Sequence, residues 1–498
     1  MSLRLRAPRP TASSVAARLL AARLLVACAL AAAACSAGPR PSPAPVPTAA
    51  PAPVPVAAAI DSAAGAIAIP GVPVGLGAPL AAAPHFEHTP GLTWDLDVLP
   101  FEGHERVQKY VTLFSTGARD RFTEWLHRGT RYDALIRGKL RAGGLPEDLT
   151  YLALVESGYD VHAVSHSRAV GMWQFMAETG REVGLRVDWW VDERRDPVRA
   201  TDAAVRTLRW LKGQFGSLFV AAAAYNGGPG RVSRGLAQLA SVDSAGALPA
   251  GDARFFALVE HDVLRDETKN YVPQLIAAAL VAKEAARYNI RPRAEAPLAY
   301  DEVRVPGLTP LAAVAAASHA SRAELLDLNP HLLRGMTPPG AALAVRVPSG
   351  QGSAAADRFA TLGGEIRRAF RVSVTRRRET WGALAERVGA PRAWLETYNG
   401  RLATVARGKN KGRLVAGQAV RVPTEAVLAY ARDVVTDGDG PGTLPAVVAP
   451  PDAPRDEPSP KASHASTSSK RPVSSKRPDS AKSSKAPATR PAPRRARR

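Results

Sequence analysis

Leu152-Ala153-Leu154-Val155-Glu156-Ser157-Gly158 is the stretch on which the reading of this 498-residue chain turns. Just upstream, Gly144-Leu145-Pro146-Glu147-Asp148 has the signals of a helix start: Pro in the first turn and acids near the positive end of the dipole. The helix runs through Leu149, Leu152, Ala153 and Val155 and stops at Ser157-Gly158, a C-terminal cap. Glu156 therefore falls on the last turn of an apolar helix. Burial and the negative end of the dipole both disfavour its charge and raise its pKa. A carboxylic acid that stays neutral near pH 7 is what general-acid cleavage of a glycosidic bond requires. On position alone, a glutamate that simply faces solvent fits at least as well. The neighbours decide between the two.

Outward from that helix the pattern stays helical. Asp196-Pro197 opens a second helix, whose Ala204, Leu208, Leu211 and Phe215 form an apolar stripe. Leu218 to Tyr225 is a third apolar run, stopped by Asn226-Gly227-Gly228, and Pro229 restarts a helix. Thr268 to Tyr288 is a fourth long helical stretch. A domain over roughly 94–290 follows, mainly α and almost free of strand signals.

Composition sets the frame. Lys and Arg number 66 against 45 acids, a net charge of +21, and 46% of residues are hydrophobic. At this length more than one domain is expected. All 8 Trp lie between Trp94 and Trp394, and all 10 Tyr between Tyr110 and Tyr430, while Pro and Ser crowd the ends. This predicts one folded stretch of about 94–430 between two disordered arms. The 2 Cys exclude a disulfide-rich scaffold and a cysteine-ligated zinc module. No apolar run approaches the roughly 20 residues of a membrane-spanning helix.

Four motifs surround Glu156 in order. Tyr159-Asp160-Val161-His162-Ala163-Val164-Ser165 follows it directly, then Ala169-Val170-Gly171-Met172-Trp173-Gln174-Phe175. Ala224-Tyr225-Asn226-Gly227-Gly228 lies further on, and Glu267-Thr268-Lys269-Asn270-Tyr271-Val272-Pro273 closes the domain. Over about 190 residues this set resembles the lytic murein transglycosylases of the soluble-transglycosylase family. The family often has Pro where Val161 stands and Leu where Met172 stands; neither change removes a polar group. The resemblance implies a lysozyme-like helical fold with Glu156 as the single catalytic glutamate. Ser157, Gln174, Tyr225, Asn226 and Tyr271 would line the substrate groove. It implies cleavage of the bond between N-acetylmuramic acid and N-acetylglucosamine in peptidoglycan glycan strands, the sugar's own C6 hydroxyl closing a 1,6-anhydro ring. No metal and no cofactor is implied. A water-using muramidase on the same fold and a glycan-binding envelope protein that no longer cuts are the rivals.

Other constellations point elsewhere only weakly. His162 and His166 have metal-ligand spacing for a helix, but they fall in a loop of the family pattern and lack a third ligand nearby. Gly227-Gly228-Pro229-Gly230 lacks the Lys and Ser/Thr of a phosphate loop and reads as a helix joint. Trp189-Trp190 fits sugar stacking or core packing. Glu178 and Asp188 are more readily solvated acids than a second catalytic carboxylate.

Two small modules follow, at 299–350 and 371–425. At an offset of 70, Leu311, Val314, Ala315, Ala320, Leu325 and Asn329 align with Trp381, Leu384, Ala385, Ala390, Leu395 and Asn399. Both copies close on Val-Arg-Val-Pro, and each reads as strand, two short helices, strand (βααβ, small α+β). They resemble the lysin motif, which binds N-acetylglucosamine-containing glycans; small packing domains are the plainer alternative. Arg378 stands where that family has Gly.

The arms carry addresses. Residues 1–35 hold five Arg and no acid, then an apolar run from Leu24 to Ala34 ending at Cys35. This resembles a bacterial lipoprotein signal: Cys35 would carry the lipid anchor and Ser36 would direct it to the outer membrane, facing the periplasm. Cys28 fits the cleavage box by letter but leaves too short an apolar run; an ordinary cleaved signal is the alternative. Residues 36–90, rich in Pro and Ala, read as an extended tether. From Lys461 onward there are 12 Lys/Arg against one acid, Asp479. Anionic envelope polymers or lipid headgroups suit this tail at 440–498 better than nucleic acid, and a solvated tail without a partner is the base case.

Overall fold

The computed structural model describes residues 88–242, 249–261, 263–399, 402, 404, 405 and 407–432. The expected signal with Cys28 and Cys35, nearly all of the tether and the basic tail lie outside the described residues.

The helical part is built from α1 (Glu105–Ser115), α2 (Arg119–Thr130), α3 (Asp133–Ala142), α4 (Thr150–Ser157), α5 (Ala177–Glu182), α6 (Pro197–Phe215), α7 (Leu218–Gly227), α8 (Pro229–Val242), α9 (Ala253–Glu260) and α10 (Asp266–Lys283). Local chemistry sets the ends. Asp196 accepts the amides of Val198 and Arg199 at the start of α6, and Ser217 accepts that of Val220 at the start of α7. Gly158 closes α4 in the left-handed region at φ +61°, where glycine is at ease. Pro146 is followed by one 3-10 turn, Glu147–Leu149, before α4 begins. The last helical stretch ends sooner than its sequence suggests: α10 stops at Lys283 and a separate 3-10 turn, Ala285–Tyr288, follows.

Every residue of α4 is buried, and so is nearly all of α7. Helices apolar on all sides belong inside a bundle. There α4 packs on α2, α3 and α10, while α7 packs on α6, α8, α9 and α10. Phe114, Phe122, Ile136, Leu152, Leu154, Trp173, Phe219 and Tyr271 are among the residues of this core.

The rest of the chain is β1 (Tyr300–Val305), α11 (Leu311–Ser318), α12 (Arg322–Leu328), β2 (Leu343–Pro348), α13 (Gly352–Thr361), β3 (Phe370–Val374), α14 (Trp381–Val388), α15 (Arg392–Tyr398), β4 (Ala419–Pro423) and α16 (Glu425–Tyr430). β1 pairs antiparallel with β2, and β3 with β4, so each module is strand, helix, helix, strand. The repeat is chemical as well. Asn329 donates to the carbonyls of Leu325 and Arg346 and accepts the Arg346 amide; Asn399 does the same with Leu395 and Arg421. One buried amide thus ties the second helix to the closing strand in both copies. Leu308 and Arg378, 70 apart, both sit at φ +61°, a strained backbone for either side chain.

The cores do not follow sequence order. Trp190 and Val191 lie between stretches of the helical domain, yet they pack with Val303, Leu311, Val314 and Leu332 of the first module. The cause is backbone pairing: Val191 bridges to Leu332, and the Leu333 amide donates to the Trp190 carbonyl at 3.0 Å. Trp189 is half-buried, with the Arg334 guanidinium 3.6 Å from its ring centroid. Among the described residues no helix is long and apolar enough to cross a membrane.

Candidate active site

Glu156 lies on the last turn of α4 with no exposed surface. Burial pushes its carboxyl up to about 8; a hydrogen bond from Tyr271 opposes the shift and the charge of Glu267 adds to it. Tyr271, reaching across from α10, donates its hydroxyl to Oε1 at 2.5 Å. Oε2 has no hydrogen-bond partner among the described residues. Tyr225, on α7, is close enough that the Glu156 charge, after burial, raises its phenol further; the Tyr271 phenol is raised in the same way.

A loop over 168–175 is bonded to Ser157, the residue after Glu156, and to Tyr225. Val170 bridges both Val164 and Phe175, and the Gly171 amide donates to the Ala163 carbonyl. Gly171 has φ +83°, and a Cβ there would lie 1.9 Å from the carbonyl oxygen of Arg194, so only glycine fits. Three side chains tie this loop to the helices. Ser157 Oγ donates to the Met172 carbonyl at 3.0 Å, Tyr225 donates to the Trp173 carbonyl at 2.8 Å, and Trp173 Nε1 donates to Thr201 Oγ1 at 3.0 Å. Gln174 is buried at φ +48°; its Nε2 donates to the Gly171 carbonyl at 2.7 Å, and its Oε1 has no partner among the described residues. Asn226, 2% exposed, accepts the Thr268 hydroxyl at 2.9 Å.

The site residues expected from sequence fall into two kinds. Tyr271 touches Glu156 directly. Ser157, Tyr225 and Asn226 are bonded to the protein itself: Ser157 and Tyr225 to loop carbonyls, Asn226 to Thr268. Glu267 had no assigned role in the sequence. It stands at the start of α10, exposed, with Asn226 Nδ2 3.5 Å from its Oε1. Its spacing of four from Tyr271 places both on one helix face, which is the signal that could have found it. His162, His166 and Glu178 are exposed, and Asp188 accepts the amides of Trp190 and Val191. Among the described residues no group of three or more His, Cys, Asp or Glu is placed to hold a metal.

Glu156 is thus buried and bonded to Tyr271, near a loop that turns at Gly171. Residues 134–245 match the family described as Transglycosylase SLT domain, and residues 299–363 match Lytic transglycosylase MltD, LysM-like domain. The chain is 34% identical over 197 residues to Membrane-bound lytic murein transglycosylase D of Escherichia coli, covering 38% of each chain. It is 39% identical over 104 residues to Peptidoglycan transglycosylase gp16 of Escherichia phage T7, covering 20% of this chain and 8% of that protein. The chain thus spans well under half the length of these curated relatives. An inactive mutant of the lytic transglycosylase Slt from Pseudomonas aeruginosa overlaps 32% of this chain and 24% of its own at 23% identity, with a TM-score of 0.25, too slight a likeness to argue from. Glu156, Gln174, Tyr225 and Asn226 fall inside the stretch matched to that family, whereas Tyr271 and Glu267 lie beyond its matched end.

Proposed function

We propose that this chain is a peptidoglycan lytic transglycosylase that cuts the β-1,4 bond between N-acetylmuramic acid and N-acetylglucosamine and leaves 1,6-anhydro-muramic ends. The observation that carries the proposal is the state of Glu156: fully buried, its carboxyl pushed up to about 8, and held by Tyr271. Such an acid is still protonated at neutral pH and has a proton to give.

One carboxylate suffices if the sugar supplies the rest. Most glycosidases need a second to activate water or attack the sugar. Here Glu156 gives its proton to the glycosidic oxygen as the bond to the anomeric carbon breaks. The substrate's 2-acetamido group stabilises the developing cation. Glu156, now ionised, takes the proton from the C6 hydroxyl as that oxygen bonds to the anomeric carbon. No water is consumed, and intramolecular attack has a high effective molarity. Gln174, whose Oε1 has no partner among the described residues, is the group of the loop best able to meet the sugar, and Tyr225 and Asn226 orient its acetamido and hydroxyl groups.

The test is digestion of purified sacculi by wild type and Glu156→Gln. Anhydro-ended products from the wild type and none from the variant are expected. Reducing ends mean a muramidase; a wild type that binds sacculi without cutting them means a binding protein.

The envelope is the expected location. The relative from E. coli is named as membrane-bound. In this chain the anchor would be a lipid on Cys35, which labelling with radioactive palmitate should detect in wild type and Cys28→Ala but not in Cys35→Ala. Glycan strands are the expected partner of the SLT domain and of the lysin-motif-like modules, and anionic envelope polymers of the basic tail.

A further inference from the structure

Between the Gln174 loop and the first module runs one strip of chain, residues 187–196, and its contacts on the two sides differ in kind. Toward the module they combine the packing of Trp190 and Val191, the Arg334 guanidinium on Trp189, backbone bonds and a buried ion pair. Asp192 donates its amide to the His331 carbonyl at 3.0 Å, beside the Val191–Leu332 bridge. Arg346 of β2 reaches across and grips both oxygens of Asp196, at 2.9 and 2.8 Å. Asp196 in turn caps α6, so the module holds the helix that carries Thr201, the partner of Trp173.

Toward the loop, one side chain makes the contact. Arg194 is 2% exposed. Its Nε and Nη2 fork onto the two oxygens of Asp192 at 2.8 and 2.9 Å. That fork aims Nη1 at two loop carbonyls, Phe175 at 3.1 Å and Arg168 at 3.3 Å. These carbonyls bracket the loop, and Gly171 at its middle rests on the Arg194 carbonyl. Arg194 thus touches the start, the middle and the end of the segment that carries Gln174. A planar guanidinium with five fixed donors can do this; an ammonium cannot.

We propose that the first lysin-motif-like module is a positioning element of the active site, acting through the 187–196 strip and Arg194 on the loop that carries Gln174. The module is then not a tethered sugar reader alone: it holds in place the loop that carries Gln174. Arg194 is the positioning residue of this device and Arg346 its anchor on the module. The inference rests on the transglycosylase reading for its catalytic consequence, but not for its mechanical one.

The test uses the full-length chain and two variants, Arg194→Lys and Arg346→Met, the second lying on the far side of the strip. Two readouts are taken. The first is hydrogen exchange of the peptide covering residues 168–175. The second is kcat and KM on soluble glycan strands, with sacculus binding measured alongside. Both variants are expected to exchange at least fivefold faster over 168–175 while α4 exchanges as in wild type. kcat should fall about tenfold with KM and sacculus binding within twofold, because positioning acts on the reacting geometry. Unchanged exchange and unchanged kcat in both variants overturn the proposal. So does a rise in KM with lost sacculus binding at constant kcat, the mark of a simple tether. If Arg194→Lys fails to fold, Arg346→Met alone decides by the same two readouts. A wild type that cuts nothing sinks the function proposed above and leaves the exchange result to judge this one.

Discussion

The hydroxyl of Tyr271 lies 2.5 Å from Oε1 of Glu156, and both groups are buried. The bond joins α10 to α4 across 115 residues of sequence and gives the acid its one protein donor among the described residues. A donor to a carboxylate favours the charged form, so Tyr271 holds the pKa of Glu156 below what burial alone would impose.

Tyr271→Phe removes that donor. The Glu156 pKa should rise further, moving the alkaline limb of the pH–rate profile upward from its wild-type position near 8. kcat should drop by about tenfold, because the carboxylate loses its orienting bond. The pH profile of kcat on glycan strands checks both; an alkaline limb that stays in place contradicts the assignment.

Glu267→Gln should move the same limb the other way. The charge of Glu267 raises the Glu156 pKa, so its neutralisation lowers it. Activity should be lost at a lower pH than in wild type, and activity near pH 5 should change little. The two variants thus bracket the wild type in opposite directions, which a general loss of structure would not produce.

Glu156 also ties stability to pH. Its folded-state pKa of about 8 lies above the model-peptide value of 4.5. Whatever it contributes is fully present below pH 4.5 and is lost as pH rises toward 8. Glu156→Gln has no such dependence. The variant should therefore gain on the wild type as pH rises from 4.5 to 8, by on the order of 5 kcal/mol, and the gain should level off above 8. Urea unfolding of both proteins across this range measures it. The gain is the usual signature of a catalytic group held in a site that stability alone would not choose.

Gly171→Ala should destabilise by at least about 2 kcal/mol. The added methyl meets the Arg194 carbonyl at 1.9 Å and the φ of +83° disfavours it independently. Gly144→Ala is the control: φ is +68° and nothing lies within 4 Å of the added carbon, so only the backbone penalty remains. Thermal unfolding should rank the two clearly.

Asn329→Ala and Asn399→Ala should each cost about 2–3 kcal/mol in urea unfolding, since each strands a buried amide on the closing strand of its module. Similar losses at the two positions are expected from the identical bonding. A negligible loss at one of them would mean that the two copies are held together differently.

How legible the chain was depends on how local the cause is. Pro146, Asp196-Pro197 and Gly158 fix helix ends through their own backbones, and those ends can be read from the letters. The two modules were readable because Asn329 and Asn399 recur at one offset amid the same apolar spacing. The transfer of Trp190 and Val191 into the second core was not readable, since it follows from pairing with Leu332 and Leu333, some 140 residues away. The same holds at the candidate site. Sequence named Ser157 and Tyr225 as groups for substrate, but not that their hydroxyls would be taken by the carbonyls of Met172 and Trp173. Glu267 was in view and went unassigned, because its influence on Glu156 needs α10 laid against α4.

The strip that places Trp190 and Val191 in a neighbour's interior has a consequence for how such proteins diversify. A gene fusion that swapped the region before residue 290 for that of a relative would carry its own version of this strip into a foreign hollow, leaving Val303, Leu311 and Leu332 without their lid. Exchange is then harmless only when donor and recipient agree at both ends of the seam, so the helical part and the first module are inherited as one unit, and the second module shares the constraint through Tyr398, whose ring centroid lies 5.8 Å from that of Trp190 in the same core.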